Sequence, residues 1–157
     1  MLNKQKILTK RLTKATSHYT ALNDYHSLIE KLLLVKNFYQ VDTFTNLEIQ
    51  ENAILDAYLK RFSSLQDFLG AKIFPLLVEI SGIGTSKMSE VLYHVEKEGI
   101  IDDLSHWIEL REARNELEHD YPDDLKKALK DLKFCINSFN ILERYYLNAN
   151  NFASNYL

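Results

Sequence analysis

The chain has 157 residues, 46% hydrophobic and 26% charged, with 22 acidic against 19 basic residues and a formal net charge of −3 at pH 7. That length suits one domain with a full core, and four glycines with two prolines are too few for a β-sandwich and point to long helices. The acid excess excludes an overall basic nucleic-acid binder, so any RNA contact must come from a local patch.

The single cysteine, Cys135, allows no disulfide within the chain and fits a reducing cytosol. It falls on an amphipathic helix and reads as a core residue. No stretch reaches the roughly 18 apolar residues of a membrane span. The start of the chain is basic but has no long apolar run, so it does not read as a secretory signal. A cytoplasmic location is expected, with no membrane.

Residues 1–15 carry Lys4, Lys6, Lys10, Arg11 and Lys14 and no acid. They read as a basic arm, solvated or forming first helical turns, or as a phosphate-contacting arm. The first clear helix is expected over 16–39. There Leu22, Tyr25, Leu28, Ile29, Leu32, Leu33, Val35 and Phe38 form a broad apolar face. Residues 42–46 read as a connection. A second helix is expected over 46–80 from the helical recurrence of Ile49, Ala53, Leu55, Tyr58, Leu59, Phe62, Leu65, Phe68 and Leu69. Pro75 should kink or end it. Arg61 and Asp67 are charged within this apolar stretch; they read as an ion pair, as support for a site, or as plain surface charges.

The SGIGTSK stretch, 81–87, lacks the spacing of a phosphate-binding P-loop and follows no strand. It reads as an interhelical loop, with Thr85 or Ser86 capping the next helix. A third helix is expected over 87–97, stopped by Gly99, and a fourth from a cap at Asp102 or Asp103. A fifth is expected from Pro122 to about Leu147, with Asp123 and Asp124 in its first turn. The polar tail, 149–157, reads as frayed. The fold expected is a single all-α domain, an antiparallel up-and-down bundle of about five helices whose body spans 16–148.

The stretch with chemistry is RNELEHDYP, 114–122. Arg114, His119 and Tyr121 place a permanent cation, a group titrating near neutrality and a phenol within eight residues. On a helix Arg111, Asn115 and His119 form a polar stripe, while Leu110, Ala113 and Leu117 form an apolar one. Arg114 and His119, five apart, diverge by roughly 140° on an unbroken helix. Two arrangements bring them together: loosening of the helix around 119–121 ahead of Pro122, or a second copy of the chain across a two-fold axis.

Such groups suit RNA cleavage without metal. Histidine serves as acid or base near pH 7, and arginine holds the charge on phosphorus. The same residues also occur as solvated or capping groups at a polar helix end. The five histidines are scattered and lack zinc-site spacing, and there is no Gly-x-Ser-x-Gly elbow. Neither metal nor cofactor is expected.

RNELEHDY resembles the signature of the HEPN superfamily, specifically its HepT-like toxins: arginine, a polar residue, histidine five after the arginine, tyrosine two after the histidine. The match falls on Arg114, Asn115, His119 and Tyr121. RFSSLQDFLG (61–70), SEVLYHVEKEGII (89–101) and WIELREARN (107–115) are also similar, so the resemblance covers roughly 16–148.

It implies a homodimeric endoribonuclease toxin with Arg114 and His119 catalytic and Asn115, Arg111 and Asp67 in support. It also implies RNA as substrate and a cognate minimal nucleotidyltransferase antitoxin that attaches AMP to Tyr121. An alternative within the same resemblance is a non-catalytic nucleotide- or substrate-binding partner of a separate nucleotidyltransferase. The plainest alternative is a helical oligomerisation domain. Glu116, Glu118 and Asp120 beside the motif repel RNA locally and weigh against cleavage.

Overall fold

A computed structural model describes residues 2–85, 87–120 and 123–157, with positions 119 and 120 described by their backbone. Its helices are α1 (Leu2–Leu33), α2 (Val41–Thr45), α3 (Ile49–Phe68), α4 (Phe74–Ile80), α5 (Met88–Lys97), α6 (Leu104–Asp120), α7 (Leu125–Asn137) and α8 (Phe139–Ala153). A π-turn, Leu69–Ile73, links α3 to α4, and a 3-10 turn, Ser154–Tyr156, follows α8. No strand occurs among the described residues. The fold is a single-domain, all-α bundle around one core, divided more finely than five helices.

The long α1 rests on a heptad stripe. Leu8, Ala15, Leu22 and Ile29 are completely buried, with Leu12, Tyr19 and Leu33 packed beside them. This is the seam of two helices crossing at a shallow angle. The stripe reaches back to Leu8, so residues 2–15 are the first turns of α1 and not a separate arm.

The partner in that seam is α3 with its continuation α4. Lys36 meets Glu51, His18 meets Arg61, Lys14 lies over Phe68, Arg11 reaches Lys72 and Lys4 meets Glu79. Numbers rise on α1 as they fall on its neighbour, from Glu79 to Glu51, so the two are antiparallel. α8 covers another flank of α1 in the same sense, through Gln5 to Tyr156, Thr16 to Tyr146 and His26 stacked on Phe139 at 4.0 Å.

Several expected boundaries move for physical reasons. Pro75 lies in the first turn of α4, where its missing N–H removes no bond. The π-turn before it widens the backbone, and the N–H of Phe74 reaches Leu69 O. The expected 46–80 helix is therefore divided there. The 42–46 connection holds the one-turn α2.

α5 starts at an uncapped Lys87, so Thr85 does not cap it; Ser86 lies outside the described residues. Gly99 ends this helix with φ 77°. Ile100 N–H returns to Val95 O at 2.9 Å, the glycine-closed turn that satisfies terminal carbonyls.

The expected fifth helix is two. α7 begins after Asp124, whose carboxylate accepts from Lys127 N–H, rather than at Pro122, which lies outside the described residues. It breaks at Ser138, where ψ falls to 4° and the chain turns to stack Phe139 on His26. The tail is not frayed up to Ala153. Ala149 and Ala153 are fully buried, one small residue per turn against the bundle, and hold α8 in helix. No helix among the described residues is long and apolar enough to cross a membrane.

Candidate functional site

The candidate site is built on α6. Asp103 caps it by accepting from Ser105 N–H at 2.8 Å, and Glu96 accepts from Leu104 N–H at 2.7 Å. The helix buries Trp107, Leu110, Ala113 and Leu117. Trp107 packs on Phe74 and against Gly70, where a Cβ would stand 3.1 Å from its Cζ2. A side chain at position 70 would make the indole give way by a few tenths of an ångström. Gln66, also buried, donates to Trp107 O at 2.9 Å and fixes α6 against α3.

Arg114 follows Leu110 by four residues and precedes Leu117 by three, so it belongs to the buried stripe. It is 8% exposed. Its two terminal nitrogens meet both oxygens of Asp67, Nη1 to Oδ2 at 3.1 Å and Nη2 to Oδ1, a bidentate fork. Asp67 itself is 63% exposed, so the pair is buried at the cation and wet at the anion. The buried Nε of Arg114 has no partner.

Arg114 and Asp67 stand at one edge of a groove of about 460 Å³ between α3, α6 and α7. Leu55, Leu59, Leu117 and Leu132 give it an apolar floor; Lys60, Ser63, Ser64 and Glu118 give it polar edges. α3 supplies Asp56, Lys60, Ser63 and Asp67 at helical spacing on one face. The sequence reading singled out Asp67 and missed the others, although that polar line through an apolar-rich helix was the available signal.

Of the site residues expected from the sequence, Arg114 and Asp67 come together. Arg111 and Asn115 are exposed and do not line this groove. Arg111 instead edges a shallower depression with Asp67, Gly70 and Trp107, so Asp67 borders both depressions. α6 remains helical through Asp120, which corrects the expected loosening at 119–120. The backbone positions of Arg114 and His119 therefore diverge by roughly 140° about the axis. The side chain of His119 and all of Tyr121 lie outside the described residues.

The far end of α6 is tied to α7 by Lys127 on Glu116 at 3.1 Å. Cys135, behind the groove, has its thiol pushed up to about 12 by burial, so it carries no nucleophile at neutral pH. Tyr58 donates to Cys135 O at 2.9 Å and locks α3 to α7 behind the same groove. Among the described residues no group of three or more His, Cys, Asp or Glu is placed to hold a metal ion.

Comparison with protein-family models, with curated proteins and with solved structures finds no match to this chain.

Proposed function

We propose that the chain is a metal-independent endoribonuclease toxin of the HEPN type. It acts as a homodimer and is paired with a minimal nucleotidyltransferase antitoxin that silences it by placing AMP on Tyr121. The observation that carries this reading is Arg114: a guanidinium set into an apolar helix face at the edge of an open groove, held by a solvent-facing carboxylate and with its Nε unpartnered. A surface cation would not be buried in this way.

In the reaction a histidine removes the proton of a ribose 2′-hydroxyl. The oxygen attacks the adjacent phosphorus, the 5′-oxygen leaves and takes a proton from a second acid, and a 2′,3′-cyclic phosphate and a 5′-hydroxyl result. Arg114 balances the charge gathering on the phosphoryl oxygens. One imidazole does not fill both proton roles at once. The unbroken turn of α6 sets the backbone of His119 roughly 140° around the axis from that of Arg114 in the same chain, which supports a dimer in which two copies of the helix end meet at one phosphodiester. AMP on Tyr121, two residues beyond His119, adds negative charge and bulk where the phosphodiester must enter.

A second reading has one observation in its favour. Asp67 already neutralises Arg114, so the guanidinium suits holding a nucleotide more than meeting transient charge. The chain is then the binding subunit of a separate nucleotidyltransferase.

The deciding experiment incubates the purified chain and its His119→Ala variant with single-stranded RNA in EDTA. Cleavage by the parent and none by the variant supports the nuclease. Cleavage that persists in the variant contradicts it. No cleavage by either, with tight nucleotide binding, selects the second reading.

A further inference from the structure

The sequence contains a run of cations that the site above does not use. No acid precedes Asp24, and between Arg61 and Lys72 the only acid is Asp67, which is taken by Arg114. The fold lays these two stretches side by side. Arg11 and Lys14 of α1 and Arg61 and Lys72 of the facing helix form no ion pair with a carboxylate among the described residues.

What they do instead is informative. Arg61 Nη1 lies 3.2 Å from His18 Nδ1. A guanidinium only donates, so the imidazole is the acceptor and is neutral. Burial first, then Arg61 and Lys14, hold the His18 pKa below its ordinary value. Arg11 spends its Nη1 on Lys72 O at 2.9 Å, and Lys14 lies 5.3 Å over the Phe68 ring. Arg11, Lys14 and Arg61 have each turned to a neutral group, in a protein with 22 acids to choose from. Like charges gathered this way repel one another, and an incoming polyanion removes that repulsion.

We infer that the seam between α1 and α3, from Arg11 and Lys72 to His18 and Arg61, is a binding track for the phosphodiester backbone of single-stranded RNA. Arg11 to His18 spans about 10 Å of helix, room for two or three phosphates at roughly 3.4 Å per charge along a strand. The partly buried rings of His18 and Phe68, 6.0 Å apart, add aromatic surface among the cations, the combination single strands use.

On α3 this flank is about 100° around the axis from Lys60, Ser64 and Asp67. A strand lying in the seam therefore has only to cross the outer ridge of α3 to enter the groove of Arg114. The track thus rests on the ribonuclease reading for its purpose: it names a polymeric strand, not a mononucleotide, as the substrate.

The test measures fluorescence anisotropy of a labelled oligouridine on the full-length His119→Ala chain, which binds without cutting. With about three phosphate contacts, affinity should fall about twentyfold between 50 and 200 mM salt. Lys14→Gln with Lys72→Gln, both at exposed positions, should weaken binding by about tenfold or more at 50 mM and make the salt slope shallower by about 1.4. Arg61→Gln should act in the same direction. Lys31→Gln with Lys97→Gln, an equal charge change elsewhere on the surface, should leave affinity within about twofold.

Equal losses in both double variants, or none in either, overturn the track. So does capture of an acidic polyglutamate peptide by the seam without binding of RNA. Because the assay reads binding by an inert variant, failure of the wild type to cleave RNA leaves its outcome standing, and loss of the track leaves a cleavage result standing.

Discussion

Arg114 and Arg61 lie on neighbouring helices of one bundle and are used in opposite ways. Arg114 is almost fully covered and forked onto a carboxylate; Arg61 is half-buried, faces an imidazole and pairs with no acid among the described residues. The first is a charge the fold has invested in, its burial offset by the fork onto the solvent-facing carboxylate of Asp67. The second is a charge left available, at some cost in repulsion. Placement of one charge is a matter of folding and chemistry, placement of the other a matter of attraction, and substitution separates the two.

The largest difference is expected between Arg114→Ala and Arg61→Ala. Losing Arg114 should lower cleavage about 10²- to 10³-fold and cost about 1 to 3 kcal/mol in urea unfolding, through lost packing and hydrogen bonds. Losing Arg61 should leave stability within about 0.5 kcal/mol and saturated cleavage within about twofold, while weakening RNA affinity. Equal effects of the two substitutions on the cleavage step would break the comparison.

A smaller effect sharpens it. Asp67 is mostly exposed, so Asp67→Asn should cost under about 1 kcal/mol. It should also free the guanidinium fork, tightening the binding of inorganic phosphate or a mononucleotide in a titration. A large loss of stability with no gain in anion affinity would mean that Asp67 is needed only to hold Arg114 in place.

The smallest effect is in pH. His18 takes up its proton below the ordinary histidine value in the folded chain. As pH falls through about 6.5 the unfolded chain binds that proton first, and folded stability declines from there down to the folded pKa. Arg61→Gln should raise the His18 midpoint seen by NMR only part of the way, since burial is the larger cause and remains. A midpoint that does not move would remove Arg61 as a contributor.

Much of the fold was legible in local spacing. Pro75, Gly99 and Asp103 each act near the expected place because their effects are covalent or confined to one turn. The misses came from elsewhere. The Leu8, Ala15, Leu22 and Ile29 stripe is regular, but lysines and a small alanine disguise its first half. The Ser138 break carries no proline or glycine; its bend accompanies the stacking of Phe139 on a helix far away in sequence.

At the site, the three- and four-residue spacing of Arg114 to Leu117 and Leu110 was an unused signal of its burial. On sequence alone Asp67 reads with Arg61 as an ion pair, as support for a site or as plain surface charge, and its pairing with Arg114 was not foreseen. The groove could not be foreseen, because it exists only where α3, α6 and α7 lie side by side.

The most direct measurement is the chemistry of the cut ends. RNA treated with the wild-type chain in EDTA should end in 2′,3′-cyclic phosphate facing a new 5′-hydroxyl, as attack by the neighbouring 2′-oxygen requires. Ends bearing a free 3′-hydroxyl and a 5′-phosphate, or cutting that appears only when a divalent ion is added, would contradict the account.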